Sequence, residues 1–589
     1  MPGARVLPVV RSRLHLVSSG SVTCVRFDGP VVPLVLVGDR GVVLPQEPGG
    51  EAEVLPLPDL VELLRTMEAR DHPRWLVPSA SQSLPPLVAA GIRVQRCFDV
   101  AEAHRILHGG WAADLGLAWA AAFGLDPERR PQRGQGDLFD LITAPDQAGQ
   151  QDADPDAAVG PDGHLRPDIL DPDWATSSGR LVAVAEALVQ LARRQQDALK
   201  ALSAHAVAAA YTEAAAAALC VELEHDGLPV DRLMAERLIT EAVGPRPRDD
   251  TEAAQIRRSR DAAVLALAPG REETDLRNPT QVRDLLASVG VTVPNTRKWV
   301  LEPFRTRSPL VEALLEWRKD ERIATTYGWR WLDEHVGADD RLRGGWTASD
   351  GAAGRMTAQN GLHNLPAELR PAVAAEPGHV LVRADLGQVE PRVLAVVSGD
   401  TAFAEATQAD DLYAPVAAKL GVERRIAKVA VLAAMYGQRS GAAGRALGDL
   451  ERAYPVAMRL LDDAYASGLA RRPLRTFGGR RINLDTVLAG GDDAARGRFA
   501  RNAVIQGSAA ELFKAWAATV RHETAPLGGR IVLCLHDELL VHAPEDRADE
   551  VASAVRTCLD LSARRWFGTD RVRFVADTSV VRRWSDAKD

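Results

Sequence analysis

Two stretches of this chain read as buried strands, and each runs into acid. In HVLVRADLGQVEPRVLAVVSG the segment Val380 to Ala384 reads as a strand that ends at Asp385, and a helical pattern starting near Gln388 carries Glu390. In GRIVLCLHDELLVHAP the near-continuous apolar run Ile531 to Leu535 meets His536, Asp537 and Glu538, and Leu539 to Val541 returns as a second strand. That pattern is a hairpin with acids at its tip. Acids fixed at strand ends suit a hard divalent cation: Mg²⁺ takes oxygen ligands, usually one or two carboxylates plus substrate phosphates. Two such ions about 4 Å apart can clamp the attacking and leaving oxygens of an in-line phosphoryl displacement. Each segment alone is equally readable as ordinary structure, Asp385 as a helix N-cap and the His-Asp-Glu run as a turn.

The 589 residues exceed one hydrophobic core, so about two to four domains are expected. The net charge of -9 lacks the whole-chain basic signature of a nucleic-acid binder, so any such binding must come from local patches. One patch exists: residues 419–481 hold 13 Lys/Arg against 5 Asp/Glu. Within it, RRIAKVAVLAAMYG repeats Arg424, Lys428, Leu432 and Tyr436 every fourth residue along one helix face. Cations there can neutralise a polyphosphate and the ring can stack on a base. A solvated amphipathic face is the plain alternative. A second stripe, Arg498, Asn502 and Gln506, lines a helix face with long polar donors suited to base edges and sugars in a minor groove; an exposed face is again the alternative.

The five cysteines are scattered and form no CxxC pair, which argues for a reducing cytoplasm and against a disulfide framework or zinc site. No signal peptide and no membrane span are read. Residues 1 to about 110 read as a small α/β or α+β unit. Residues 124–173, rich in Asp, Pro, Gly and Gln, read as a linker or mobile loop. A long Ala-rich helical run follows from Leu181 to about Leu219. Helices dominate to about Glu334, and strands mix with helices from about Arg341. No internal repeat is present.

In this order the segments resemble the family A DNA polymerases, the bacterial polymerase I group. DLGQVEPR (Asp385 to Arg392) resembles motif A, DYSQIELR. RRIAKVAVLAAMYG resembles motif B, the O-helix RRxAKxxNFGxxYG, and LHDELLV resembles motif C, VHDE. GRMTAQNGLHNLP (Gly354 to Pro366) is similar to GRLSSxxPNLQNIP, and RTFGGRR (Arg475 to Arg481) to TLFGRRR. The stripe Arg498, Asn502, Gln506 has the family's R…N…QG spacing, and RRWSDAKD resembles its W-x-x-A-K/H ending. The likeness covers roughly residues 216–589.

The resemblance implies an α+β multidomain right-hand polymerase of palm, fingers and thumb, preceded by an α/β ribonuclease H-like exonuclease-type domain. The implied divisions are an exonuclease-like unit over 1–215 that includes the 124–173 linker, a thumb over 216–345, palm over 346–404 with motif A, fingers over 405–495 with the O-helix at 424–437, and palm again over 496–589 with motif C. Asp385 and Asp537, with the Leu386 carbonyl, would ligate two Mg²⁺ ions, for which Mn²⁺ could substitute. Glu538 would support them. Arg424 and Lys428 would grip the triphosphate, and Lys428 could protonate the departing pyrophosphate. Gln388, Glu390, Leu432 and Tyr436 would complete the nucleotide site, with Glu390 blocking a ribose 2′-OH. Arg355, Asn364, Arg498, Asn502, Gln506 and His536 would contact primer and template. The implied partners are primer-template DNA and dNTPs. A cytoplasmic, nucleoid-associated monomer in replication or repair is expected.

The sequence also departs from the family. Leu432 stands where the O-helix carries Phe or Tyr, and Val431 where it carries Asn. Leu386 and Gly387 replace Tyr-Ser, Pro391 replaces Leu, and Tyr413 stands near the family's triphosphate-contacting His. A proofreading exonuclease needs a DxE pair on its first strand, and residues 1–60 contain none. Asp99 resembles the second exonuclease Asp, and Asp197 falls where the third would lie. A degenerate exonuclease-like domain without proofreading is expected. Two other readings stand beside this one: a catalytically impaired polymerase fold that only binds DNA, and a phage-type RNA polymerase, against which Glu390 argues.

Overall fold

A computed structural model describes residues 31–44, 52–132, 154, 156–359, 361–437, 442–484, 492–535 and 537–587. The first unit is a five-stranded sheet built from β1 (Val31–Val37), β2 (Arg40–Val43), β3 (Glu53–Pro56), β4 (Arg74–Val77) and β5 (Arg96–Asp99), with helix α1 (Leu57–Asp71) between β3 and β4. The spatial order is β3-β2-β1-β4-β5. The first three strands pair antiparallel, whereas β1, β4 and β5 run parallel. The parallel strands are buried on both faces, so VVPLVLV and RWLV read as unbroken apolar runs. Helix α2 (Val100–His108) leaves β5 with Asp99 as its cap, the carboxylate accepting from Glu102 N–H.

The expected single helical run after residue 181 is two helices, α3 (Ser178–Leu202) and α4 (Ala204–Asp226). Ser203 breaks it: its backbone is extended and its Oγ accepts the Ala206 N–H, capping α4. Helix α4 packs against β5 and α2 on one side and against the long helix of residues 493–524 on another. By length and composition α4 could cross a bilayer, a property the sequence reading passed over, but 72% of its apolar window is buried inside the protein.

The expected linker also needs correction. Residues 133–153 lie outside the described residues, but the part that follows packs into the core. Ala158, Leu165, Ile169 and Trp174 are buried, and Val159 bridges Leu165. Trp119 Nε1 donates to the Gly163 carbonyl at 2.9 Å. A few apolar side chains docking onto a distant surface order this stretch, which local composition cannot reveal.

The second sheet holds the carboxylates. Its strands are β6 (His379–Leu386), β7 (Arg530–Leu535), β8 (Glu538–Pro544) and β9 (Ala576–Val581), in the order β7-β8-β6-β9, all antiparallel. Between β6 and β7 run α5 (Val389–Ser398), α6 (Arg424–Tyr436), α7 (Pro455–Leu469) and α8 (Asp493–Thr524). One continuous apolar core joins both sheets, while a separate small core around Leu285, Leu314 and Trp317 serves the helices of residues 250–326.

Candidate active site

Register brings the acids together. On β6, Asp385 lies opposite Glu538 of β8 on one side and opposite Asp577 of β9 on the other. The Leu386 N–H donates to the Asp537 carbonyl at 2.9 Å, closing the tip of the β7-β8 hairpin against the end of β6. Four acids from three segments therefore share one sheet end. The chain then turns through Gln388, a non-glycine residue at φ 55, a left-handed conformation that must be held in place. Its side chain supplies the hold: Nε2 donates to Asp411 Oδ1 at 2.9 Å and Oε1 accepts the Leu412 N–H at 2.9 Å.

This geometry leaves negative charge poorly compensated. Burial, then the nearby Asp537, pushes the Asp385 carboxyl up to about 7. Burial, with Glu538 and Glu390 beside it, pushes Asp537 up to about 6. Glu538 is itself buried, and its Oε1 accepts from Arg383 Nε and from Trp584 Nε1, each at 2.7 Å. An all-oxygen donor set of closely placed carboxylates fits a divalent hard metal. The other group of possible ligands, Glu376, His379 and His542 within 4.8 Å of one another, sits at the opposite end of β6.

Helix α6 carries the basic stripe as the spacing predicts and ends on Gly437 in the left-handed region. Arg424 is exposed but engaged: it pairs with Asp411 at 2.5 Å, and its guanidinium lies 5.8 Å from the Tyr413 ring centre. Lys428 is exposed, Leu432 half-buried against the core, and Tyr436 exposed at 42%. Glu390 is hydrogen-bonded by Gln506, and burial holds its carboxyl above the ordinary range even with Arg355 nearby. Tyr436 also feels Glu390 and Arg355. Glu390, Gln506, Arg355 and Tyr436 thus converge beside Asp537.

Along α8, Arg498 is exposed and Asn502 and Gln506 are half-buried. Gly507 permits a close approach: a Cβ there would lie 2.8 Å from the Ala353 carbonyl oxygen and 2.5 Å from Thr476 Cγ2. Arg355 Nε pairs with Asp350 at 3.2 Å. Asn364 is exposed, and its carbonyl accepts from Tyr327 Oη at 2.7 Å. His536 lies outside the described residues. The Arg475 to Arg481 segment is a small hairpin anchored on the first unit, with Arg475 donating to the Ile106 and Leu107 carbonyls at 3.2 and 3.1 Å.

The exonuclease candidates do not meet in one open site. Asp99 is buried, accepting from Ala80 N–H at 2.7 Å and Glu102 N–H at 3.0 Å. Burial, then Glu102, pushes its carboxyl up to about 7. Asp197 is exposed on α3 and pairs with Lys200.

Four residues of the site escaped the sequence reading. Arg383 and Asp577 share the face of Asp385, and strand parity could have found Arg383. Asp411 holds both Gln388 and Arg424. Arg392 is fully buried and donates to five carbonyls, those of Gly387, Thr407, Ala409, Asp410 and Arg573; burial brings its pKa down to about 10. It staples the start of α5 to the loops on either side.

The family model for "DNA polymerase family A" matches residues 256–586. The chain belongs to DNA polymerase family A. Among its relatives, DNA polymerase I of Chloroflexus aurantiacus is 33% identical over 44% of this chain and 31% of that protein. The thermostable DNA polymerase I of Thermus filiformis is 28% identical over 50% of this chain and 38% of the relative. DNA polymerase I of Deinococcus radiodurans is 28% identical over 49% and 34%. The aligned part of this family A chain therefore spans about a third of the length of these relatives. A solved structure of the POL domain of Pol1 from M. smegmatis, in complex with DNA primer-template and dNTP, superposes with a TM-score of 0.66 at 21% identity. It covers 95% of this chain and 96% of the other, so the fold is that of a family A polymerase domain throughout.

Proposed function

We propose that this chain is a template- and primer-dependent DNA polymerase that adds deoxynucleotides to a primer 3′-OH. The observation that carries the reading is the meeting of Asp385 and Asp537 at neighbouring strand ends, with Glu390, Gln506 and Tyr436 beside them. Asp385, Asp537 and the Leu386 carbonyl would hold the divalent ions, Mg²⁺ or in its place Mn²⁺. Bound there, such ions activate the attacking hydroxyl and neutralise charge on the phosphates. Glu538, fixed by Arg383 and Trp584, keeps the hairpin tip in register. Arg424 and Lys428 would draw in the triphosphate, and Lys428 would give a proton to the departing pyrophosphate. Glu390 closes the space a ribose 2′-OH would need, which favours deoxynucleotides and weighs against an RNA polymerase. Tyr436 and Leu432 face the base, while Arg355, Asn364, Arg498, Asn502, Gln506 and His536 track primer and template. Catalysis is then chiefly positioning and charge stabilisation.

In this reading residues 216–345 form the thumb, 346–404 and 496–589 the palm and 405–495 the fingers, and residues 1–215 form an exonuclease-like unit without proofreading. The acid-free strand β1, the capping role of Asp99 and the exposure of Asp197 support the last point. Work in replication or repair by a cytoplasmic, nucleoid-associated monomer completes the proposal, in keeping with four buried free cysteines among the described residues. Primer extension with Mg²⁺ on a recessed and a mismatched 3′ end tests it. Extension of the recessed end, lost in Asp537→Asn, with no shortening of the mismatched end, is the expected result. Absence of extension by the folded wild-type protein leaves the DNA-binding alternative in its place.

A further inference from the structure

A cation is already built into the carboxylate cluster. Arg383 stands two residues before Asp385 on β6, so both side chains leave the same face of the strand. The rest of that strand, His-Val-Leu-Val before it and Ala after, offers no second charge of either sign that is fixed among the acids. Arg383 is only 5% exposed, yet each of its guanidinium nitrogens faces a different carboxylate. Nη2 donates to Asp385 Oδ2 at 2.7 Å, Nε donates to Glu538 Oε1 at 2.7 Å, and Nη1 lies 3.8 Å from Asp577 Oδ2. These acids come from all three strands that meet at the site, so one planar group ties the sheet end together.

The oxygen inventory follows. A carboxylate offers two oxygens with about four lone-pair sites. In Glu538, Oε1 takes both Arg383 and the buried Trp584 indole, so that oxygen is fully committed. In Asp385, Oδ2 is engaged by Arg383. A divalent ion approaching Asp385 therefore meets a carboxylate half-occupied by a fixed positive charge, in a partly buried setting where charges interact strongly. The same contact keeps Asp385 and Glu538 from swinging apart under their mutual repulsion when no ion is present.

We propose that Arg383 is a resident counter-cation of the polymerase site, a positioning residue that holds Asp385 and Glu538 ready and that any divalent ion must compete with for Asp385. The inference rests on the polymerase reading of the site. Its consequence is a metal requirement set high by the protein's own charge, with a site that stays assembled between turnovers. Arg383→Lys keeps the charge, and with it the competition for Asp385, but lacks the planar fork that faces three carboxylates at once. Arg383→Met and Arg383→Gln remove it, leaving the acids to bind metal more tightly and to repel one another without it.

Mn²⁺ titration of the whole chain, read by the electron paramagnetic resonance signal of free Mn²⁺, tests this without reference to turnover. In a His379→Ala/His542→Ala background, which removes the second group of possible ligands, the otherwise wild-type chain, Arg383→Lys, Arg383→Met, Arg383→Gln and the double variant Asp385→Asn/Asp537→Asn are compared, with thermal unfolding in EDTA and in Mn²⁺. Arg383→Met is expected to bind Mn²⁺ at least about tenfold more tightly than wild type, and to lose thermal stability in EDTA that Mn²⁺ restores. Arg383→Lys should stay near wild type. If Arg383→Met does not fold, Arg383→Gln carries the same comparison. Equal or weaker Mn²⁺ binding by a folded charge-removed variant, with wild-type binding intact and abolished in the double variant, overturns the role of Arg383 alone. Mn²⁺ binding that survives in the double variant overturns the polymerase reading of the site together with it.

Discussion

Lys514 Nζ donates to Glu213 Oε2 at 2.6 Å, both side chains wholly buried, across 301 residues of chain. Arg480 reaches the same carboxylate at 2.9 Å. Against the upward push of burial, these two cations hold the Glu213 carboxyl below its ordinary range. Next to it, burial pushes Glu511 up to about 7 while it accepts from Thr476 and from Gly478 N–H. The network joins α4, α8 and the Arg475 to Arg481 hairpin, so the first unit and the polymerase body share a charged seam. Removing one partner strands the others in a dry interior. Glu213→Ala is expected to cost about 3–5 kcal/mol in urea unfolding, and the apolar double replacement Glu213→Leu/Lys514→Met to recover part of it. A double variant no more stable than the single one would count against this account.

Asp99 caps α2 and accepts the Ala80 N–H. Asp99→Ala removes a helix cap and leaves the Ala80 N–H without its acceptor. A loss of about 1–3 kcal/mol is expected, with primer extension unchanged at a temperature where the variant stays folded. Metal-dependent 3′-end degradation in wild type that vanishes in Asp99→Ala would reverse the assignment.

Asp411 restrains Arg424. Burial pushes its carboxyl up, but Arg424 and the Tyr413 N–H hold it below the ordinary range. Asp411→Asn retains an oxygen for Tyr413 and Gln388 while releasing the guanidinium charge. Because Arg424 is largely exposed, solvent screens the ion pair and it is easily exchanged. The KM for dNTP should fall by up to about fivefold with kcat little changed; a raised KM would show that Asp411 orients Arg424 productively instead.

Leu432 puts an aliphatic side chain one turn before Tyr436 on the face of α6 proposed to meet the nucleotide. Base–aromatic stacking contributes about 1–3 kcal/mol, so Leu432→Phe should lower the KM for dNTP by about fivefold or more. Steady-state kinetics decide; an unchanged or higher KM ends the idea.

The stability of the metal-free protein should depend on pH in a direction set by Asp385 and Asp537. Their folded pKa values, about 7 and about 6, lie above the ordinary 3.8. The folded state therefore binds more protons than the unfolded chain between these limits, and the contribution of these groups to stability falls as pH rises from about 4 to about 7. Mg²⁺ should flatten that slope by favouring the ionised pair. Melting temperatures in EDTA and in Mg²⁺ across this window report it, and parallel curves would contradict it.

The acids of the site were legible because each follows a segment that reads as a strand: Val380 to Ala384 and Ile531 to Leu535 are strands close to where they were expected. The stripes on α6 and α8 were legible from their spacing. Arg383 was legible by parity, being two residues from Asp385. Asp411 was not, because its value lies in gathering Gln388 and Arg424, which only the folded chain brings to it. Asp577 and Trp584 joined the site through strand pairing far along the chain. Residues 156–175 were misread because their order depends on surfaces supplied by α3 and the first unit. Ser203 was a visible cap inside an Ala-rich run, overlooked because the composition on either side is so uniform.

Helix α4 also decides how the molecule can be cut. Its window of mean hydropathy 1.4 is sheathed by α2, α3 and β5 on one flank and by α8 on the other. A fragment beginning at Ala204 would keep every residue proposed for chemistry and yet present a bare greasy rod, prone to detergent, lipid or its own kind. The described residues before Ala204 thus cover one flank of α4, apolar surface that a shortened chain would leave without its cover.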